Sequence, residues 1–552
     1  MKKLFFFTGL FLTISCQQNF KIDSKMNPFF QDWSKNYGVP PFLDIKDDHF
    51  MPAFKKGMED NLKEIDIITN NTESPTFTNT IEELERTGKL LTKVQRVFSN
   101  LSSSNTNLQL QELQRELSPM LSSHYDKILL NKDLFNRVEV IWNERESLDL
   151  TKEQQKLLKD RRNQFVRNGA LLDSVEKKQI IEINSKISEL TTAFGQNLLA
   201  ETNGYELILN KSDLDGLSEG VISAASNAAS KKMNQTDINS EKEKYEGKYL
   251  FTPHRTSMYP FLTESTRRDL REKLYKSYIL RGDNNNESDN KIIAAQIARL
   301  RSERANILGY KSHAHFVLEQ NMLKTPEEVY DLLIQLWKPA LKRAKAEVAD
   351  MQEVADSEGK DFKIAAWDWW HYSEKVRKEK YDFSEENMRP FLSLENIRQA
   401  AFKTAERLFD IKFIKLSNYP KYHDEVEAFK VLANKENIVG IFLTDYYVRS
   451  SKQGGAWMTS YRDQSKNNGD QYPIIINVCN FPKPTKDKPS LLNFEHAITL
   501  FHEFGHALHG LLSNVTYPSL SGTSVPRDFV EFPSQMMENW IRNPEVLDEF
   551  AL

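Results

Sequence analysis

Cysteine is almost missing from this chain, since its 552 residues contain two, Cys16 and Cys479. The apolar run Leu4 to Leu12 is too short to cross a bilayer as a permanent helix. The net charge of -4 is small and no basic block occurs. A disulfide scaffold is therefore excluded, nucleic-acid binding has no electrostatic support, and the fold must be stabilised by its core.

The first fifteen residues have the pattern of a secretory signal peptide. A positively charged start precedes the run Leu4 to Leu12, and small and polar residues follow it up to Cys16. Ser15-Cys16 resembles a bacterial lipoprotein cleavage site, although Thr13 stands where leucine is usual. We expect an exported protein, periplasmic or anchored to a membrane of the cell envelope by lipidated Cys16. An ordinary signal with an incidental Cys16 is the alternative.

The remaining composition is that of a soluble globular protein with more than one structural unit. With 39% hydrophobic and 28% charged residues, the chain can build a substantial core. We expect a helical amino-terminal region over 16–240 and a second region, which carries the chemistry, over 241–552. The polar segment Asn227 to Lys244 is expected to be a mobile loop between them.

The secondary-structure pattern is predominantly helical. Thr80-Ile81-Glu82-Glu83 has the form of a capping box, and charged helices are expected from Thr151 to Glu201. Short strands are predicted at Gly204 to Asn210, Ile438 to Tyr447 and Tyr472 to Cys479. Because the last two lie just before the motif described next, either could offer an edge to a bound peptide.

The most informative stretch is Leu500 to His509, which contains His-Glu-x-x-His. On a helix, His502 and His506 lie only about 40° apart, so both imidazoles can bind one metal ion. An apolar arc beside them predicts that the helix is half buried; it consists of Phe494, Ile498, Phe501, Gly505, Leu508 and Leu512. Glu503 is rotated toward the open side, where it could take a proton from a metal-activated water.

A catalytic zinc ion needs a third protein ligand, and the segment Asp528 to Gln535 supplies candidates. Glu531 follows His506 by enough chain for one loop and the start of a second helix. Asp528 and Glu538 are rival oxygen ligands. His509, one turn beyond His506, is more consistent with helix packing than with metal binding, and His496 is expected to be solvated.

These residues resemble the thimet-oligopeptidase family of zinc metallopeptidases, and within it the bacterial peptidyl-dipeptidases. The resemblance lies in Phe501 to Gly510 and Gly522 to Gln535 and runs from about Asn27 to the last residue. Other stretches that carry it are Asn27-Pro28-Phe29-Phe30, Trp367-Asp368-Trp369-Trp370, Gly454-Gly455-Ala456-Trp457-Met458 and Asn477-Val478-Cys479-Asn480-Phe481 with Lys488-Pro489. It implies one zinc ion per chain, His502, His506 and Glu531 as its ligands, and Glu503 as the base.

The resemblance also implies a fold and a substrate class. The fold would be mostly α, a two-part helical ellipsoid with a deep substrate channel and a small β-sheet next to the zinc-binding helix. The substrates would be short unfolded peptides, and the protein would act as a monomer. Release of carboxy-terminal dipeptides is expected, with an endo-acting oligopeptidase as the alternative. Gly455, Ala456 and Trp457 are candidates for substrate contacts, although a plain turn explains the glycines nearly as well.

Pro544 to Phe550 reads as the first turns of a helix without an exit signal. Members of the resembling family continue beyond this point, so we expect the second region to be truncated at its carboxy terminus. The family residues that stabilise the oxyanion would then be absent, and each such donor typically contributes about 100- to 1,000-fold in turnover. An inactive zinc- and peptide-binding lipoprotein is therefore a competing hypothesis. Retention of Glu503 favours the enzyme, because a binding protein needs no base.

Overall fold

The computed structural model describes residues 27–383, 385–434, 436–467, 469–484 and 488–551. The predicted signal peptide and Cys16 lie outside these ranges. Among the described helices, none combines the length and apolar character needed to cross a bilayer. Cys479 is buried and is not part of a disulfide.

Helices dominate the chain, as expected. The α-helices of the first half are α1 (Phe50–Thr69), α2 (Glu83–Arg86), α3 (Lys89–Ser104), α4 (Leu108–Leu129), α5 (Lys132–Glu144), α6 (Lys152–Arg167), α7 (Ser174–Gly204), α8 (Glu219–Asn234), α9 (Asn239–Tyr245), α10 (Arg255–Glu264) and α11 (Arg268–Ile279). Those of the second half are α12 (Lys291–Ile307), α13 (His313–Leu318), α14 (Pro326–Ser357), α15 (Trp369–Tyr381), α16 (Glu385–Met388), α17 (Leu394–Phe409), α18 (Phe494–Leu511), α19 (Glu531–Glu538) and α20 (Pro544–Phe550). A π-helical turn covers Phe77–Glu82, and 3₁₀ turns cover Pro28–Phe30, Lys35–Gly38, Asp47–His49, Lys211–Asp213, Ala366–Asp368, Arg389–Phe391, Pro518–Leu520 and Trp540–Arg542.

The strands form two sheets. They are β1 (Leu207–Leu209), β2 (Tyr249–Phe251), β3 (Ile411–Lys415), β4 (Glu427–Ala433), β5 (Asn437–Tyr447), β6 (Trp457–Arg462) and β7 (Ile474–Phe481). β1 and β2 pair antiparallel, and the larger sheet has the order β3-β4-β5-β7-β6. Within it, β5 and β7 run parallel and the other neighbours run antiparallel.

The larger sheet lies between two helical layers. One face shares a core with α17 and α18, through residues such as Phe402, Phe442 and Phe504. The other face packs on amino-terminal helices, where Phe54 and Phe98 join Ile476 in one buried cluster. The sheet is therefore buried on both sides, and α18 lies directly against it.

Three local predictions require correction. The segment Asn227 to Lys244 is not a loop, because α8 and α9 occupy most of it. α8 begins before this segment, and its buried residues Val221, Ala225 and Ala229 are spaced four apart in an alanine-rich helix. The capping box predicted at Thr80 lies at Thr76, whose hydroxyl accepts the Asn79 N–H while the Asn79 side chain accepts the N–H of Thr76.

The third correction concerns the sheet edge. β5 and β7 confirm the two longer predicted strands, but both are interior, so neither has a free edge. Among the described strands, β6 lies at the edge next to β7. No strand was predicted for β6 because it is only six residues long and follows two glycines.

Candidate metal centre

Helix α18 presents the His-Glu-x-x-His motif from a buried surface. Asn493 caps the helix by accepting the N–H of His496 at 2.7 Å. Phe501, Phe504 and Leu508 are buried in the core shared with the sheet. The prediction that this helix is half buried is therefore confirmed. Its packing leaves the two histidines of the motif little conformational freedom.

The structure brings His502, His506 and Glu531 together. Nε2 of His502 and Nε2 of His506 lie 3.1 Å and 3.0 Å from the same Oε2 atom of Glu531. One ligand atom from each residue can be chosen so that all three lie within 4.8 Å of one another. Two imidazole nitrogens and one carboxylate oxygen are a donor set that zinc binds, so these residues fit the expected ion.

Glu531 reaches the histidines because α19 crosses α18 at very short range. A Cβ atom placed on Gly505 would lie 2.6 Å from Cα of Ser534 and 2.9 Å from the Pro533 carbonyl oxygen. Only glycine therefore allows this approach. The hydroxyl of Ser534 also donates to Oε2 of Glu531 at 3.1 Å, which orients the carboxylate.

The rival oxygen ligands have other contacts. Asp528 accepts the backbone N–H groups of Met322 and Leu323, so it joins the segment before α19 to the segment before α14. Glu538 lies 2.8 Å from Nδ1 of His502, on the side of the ring opposite Nε2. A carboxylate at that position fixes the tautomer and orientation of a metal-binding histidine. The His-Glu-x-x-His motif does not predict that Glu538 orients His502. The sequence indicated Glu538 only as a possible metal ligand.

Glu503 is 6% exposed, and its Oε2 has no hydrogen-bond partner among the described residues. Burial raises its pKa to about 7, while the nearby His502 lowers it and Glu531 raises it. A carboxyl group with a pKa near neutrality can both accept and release a proton at physiological pH. The position of Glu503 therefore fits its expected role as the general base.

The two other histidines of α18 stay outside the cluster. His509 is half-buried, and burial lowers its pKa. His496 is not solvated as predicted: its ring lies 5.3 Å from that of Phe481, and burial lowers its pKa to about 4. The prediction was wrong because the sheet covers the side of α18 that was assigned to solvent.

The candidate substrate residues lie in the loop that leads into β6. Gly455 is exposed and has a φ of 102°, which favours glycine. Ala456 packs with the core on the α18 face, whereas Trp457 packs on the opposite face with the amino-terminal helices. The Trp457 ring is therefore directed away from α18, and only backbone atoms there are placed to meet a ligand beside that helix.

A buried charge cluster that sequence inspection missed holds this loop. The Lys452 ammonium is fully buried and donates to Asp445 Oδ1 and to the carbonyl oxygens of Asp445, Tyr447 and Cys479, all within 2.9 Å. Asn480 donates to the Gly455 carbonyl oxygen at 2.7 Å. The loop that carries the exposed Gly454 and Gly455 is therefore held in place by hydrogen bonds to buried residues.

Comparison with known proteins adds sequence evidence to this geometry. The sequence model of Peptidase family M3 matches residues 261–551. Dipeptidyl carboxypeptidase of Escherichia coli (strain K12) is 37% identical over 528 residues, which are 95% of this chain and 76% of that protein. Oligopeptidase A of Haemophilus influenzae is 31% identical over 520 residues, 92% of this chain and 74% of that protein.

A solved structure described as an oligoendopeptidase F from Bacillus anthracis strain Ames has a TM-score of 0.48 and 15% identity, and the match covers 90% of this chain and 73% of that one. That likeness is too weak to support a conclusion. The family match, by contrast, includes His502, His506 and Glu531.

Proposed function

This chain belongs to peptidase family M3, and we propose that His502, His506 and Glu531 hold one zinc ion with which it hydrolyses short peptides. The observation that carries the proposal is the convergence of both Nε2 atoms on one Glu531 oxygen beside the buried Glu503. Zinc bound in such a site acts as a Lewis acid and lowers the pKa of water.

The protein's own residues would supply positioning and proton transfer. Glu538 and Ser534 orient His502 and Glu531 through the contacts described above. Glu503, buried next to the candidate ligands, would accept a proton from the attacking water and pass it to the leaving amine. General acid–base catalysis of this kind contributes typically about 100- to 10,000-fold.

We propose release of carboxy-terminal dipeptides as the main reaction. It is supported by the 37% identity to dipeptidyl carboxypeptidase over most of the chain. Internal cleavage is the second candidate, supported by the 31% identity to oligopeptidase A. A short, extended peptide could lie along β6, because main-chain pairing with an edge strand needs no particular sequence.

The proposed location rests on the amino-terminal residues alone. We propose export and lipidation at Cys16, with the enzyme acting as a monomer in the bacterial cell envelope. Labelling with a palmitate analogue should mark the wild type and not Cys16→Ala. Equal labelling of both would contradict lipidation at this residue.

The first experiment is digestion of an amino-terminally blocked peptide followed by mass spectrometry, with zinc content measured in parallel. Stepwise loss of two residues from the carboxy terminus is expected. Glu503→Gln should keep its zinc and lose at least about 100-fold in rate. The matched control Glu495→Gln, an exposed position on the same helix, should behave as wild type.

Three outcomes would change the proposal. Internal cuts would favour the oligopeptidase reaction. Zinc binding without cleavage would favour a zinc- and peptide-binding protein. Absence of zinc from the purified, folded wild type after dialysis against zinc would overturn the proposed function.

A further inference from the structure

One imidazole of the metal centre lacks the support that the other has. Nδ1 of His502 is bonded to Glu538, whereas Nδ1 of His506 is buried without a hydrogen-bond partner among the described residues. Asn477, on β7, is 0% exposed, and neither atom of its side-chain amide has a partner there either. An unpaired buried polar group is destabilising, so buried groups of this kind are nearly always hydrogen-bonded, to protein or to ordered water.

The side chain of Asn477 is on the face of the sheet that α18 covers. Along β7, Ile475, Cys479 and Phe481 belong to the core shared with α18. The residues between them, Ile474, Ile476 and Val478, belong to the core on the opposite face. Because successive side chains of a strand alternate between faces, Asn477 lies on the α18 side.

Two contacts between β7 and α18 fix the position of Asn477 along the helix. A Cβ atom on Gly510 would be 2.8 Å from Cδ1 of Ile475, and the ring of His496 is 5.3 Å from that of Phe481. Helix and strand therefore run in opposite directions. Two strand residues advance about 6.6 Å and four helix residues about 6.0 Å, so Asn477 is level with His506.

An electrostatic effect supports this register. The pKa of Cys479 is raised well above its usual value, first by burial and then by the charge of Glu503. Cys479 is thus near Glu503, one turn before His506, as the register requires.

We propose that Asn477 is a positioning residue of the metal centre: its Oδ1 accepts a hydrogen bond from one buried water, which in turn accepts the Nδ1–H of His506. This contact would hold the imidazole in the tautomer that leaves Nε2 free for the metal, as Glu538 does for His502. The neutral amide of Asn477 is favourable at this position because it adds no second negative charge beside the buried Glu503. The inference rests on the proposed function, since it assumes that His506 binds zinc.

The test is the zinc dissociation constant, measured by competition with a chromogenic chelator. Asn477→Leu removes the acceptor and should weaken zinc binding about 10- to 100-fold. Asn477→Asp retains an acceptor and should bind zinc nearly as wild type does. Asn100→Leu is the matched control, because Asn100 is 3% exposed and bonds Tyr461 on the opposite face of the sheet. It should lower stability and leave zinc affinity unchanged.

A purely structural role would make the two Asn477 variants alike in zinc affinity, or leave both equal to wild type, and either result overturns the inference. Failure of the wild type to bind zinc would overturn the proposed function as well. If Asn477→Leu does not fold, the ring N–H of His506 is observed by NMR in ¹⁵N-histidine-labelled, zinc-loaded protein. Its resonance should shift in Asn477→Asp, and an unchanged resonance would contradict the contact.

Discussion

At the scale of single residues, the chemistry of the site depends on which nitrogen of each histidine faces inward. His502 and His506 both direct Nε2 at Glu531, so Nδ1 is the atom that the protein can use to orient each ring. For His502 that partner is Glu538. Glu531 is the first residue of α19 and Glu538 is the last. One short helix therefore supplies both a candidate ligand and the group that positions another.

Removal of the Glu538 carboxylate is expected to weaken zinc binding. In Glu538→Ala, His502 loses its Nδ1 partner and can rotate or change tautomer, so the zinc dissociation constant should rise about 10- to 100-fold. Chelator competition measures it. Asp548→Asn, an exposed change on α20, is the control that should have no effect. An unchanged affinity in Glu538→Ala would mean that Glu538 does not support the ligand.

Sequence inspection named Glu531, Asp528 and Glu538 as possible ligands and placed Glu531 first. Their side-chain chemistry is nearly the same, so spacing along the chain could not separate them. The structure separates them by the direction of the side chain. Glu531 faces both Nε2 atoms, Glu538 faces Nδ1 of His502, and Asp528 accepts from the backbone of the segment before α14.

At the scale of elements, the crossing of α18 and α19 determines whether the three donors meet. Gly505→Ala should force the helices apart, because the new methyl group would meet backbone atoms of Ser534 and Pro533 that cannot rotate away. We expect a loss of about 1–3 kcal/mol in the free energy of unfolding, together with weaker zinc binding. Urea unfolding and chelator competition measure the two effects.

The control is Gly195→Ala in α7, where the added Cβ would meet nothing within 4 Å. It should be neutral or stabilise the helix by about 0.5–1 kcal/mol. A Gly505→Ala protein with wild-type stability and zinc affinity would show that α19 is not held by this approach.

Element prediction succeeded where the pattern was long and failed where it was short or unusual. The apolar periods of α18 and of β5 and β7 predicted those elements because many residues repeat one spacing. β6, one of the two edge strands of the larger sheet, was not predicted, since six residues shortly after a glycine pair carry little signal. The second half of α8 and most of α9 were predicted to be a loop, because their polar residues do not form an obvious apolar stripe.

At the scale of the whole molecule, buried histidines make stability depend on pH. His124, His371 and His496 each have a pKa lowered to about 4, first by burial and then by nearby Lys127, Arg271 and Arg389 respectively. Their ordinary pKa is 6.5, so below that value the unfolded state binds more protons than the folded state. Stability is therefore present above pH 6.5 and is lost as the pH falls toward 4.

Between pH 7 and pH 5 each of these histidines should remove about 1–2 kcal/mol from the free energy of unfolding. Urea unfolding at pH 7, 6 and 5 measures the slope. His496→Phe keeps an aromatic ring against Phe481. It should reduce the pH dependence of the free energy of unfolding by the contribution of one histidine. A flat profile in the wild type, or an equal slope in the variant, would contradict these pKa values.

The first two-thirds of α14 expose an apolar surface to solvent. Its Leu333, Leu336 and Trp337 side chains are 52%, 58% and 62% exposed, and Phe532 on α19 is 59% exposed. Apolar patches of this kind promote association and bind hydrophobic dyes. The protein is predicted to be a monomer, and any self-association would begin at this surface.

Charged substitutions should therefore make the protein more soluble. Leu333→Lys with Trp337→Glu is expected to lower dye fluorescence and concentration-dependent light scattering, with little change in the free energy of unfolding. Ile292→Lys, an isolated exposed residue on α12, is the control. Equal scattering by the double variant and the wild type would show that association begins elsewhere.

The order of residues along the chain is enough to predict the part of the chemistry that depends on sequence neighbours. His502, Glu503 and His506 are placed by helical periodicity, which a single short segment specifies completely. Only the packed structure shows which way each acidic side chain is directed, which face of the sheet Asn477 occupies, and that β6 is at one edge of the larger sheet. Those outcomes depend on segments far apart in sequence and on the direction of individual side chains, because ligand and hydrogen-bond geometry is set only when the helices and strands pack together.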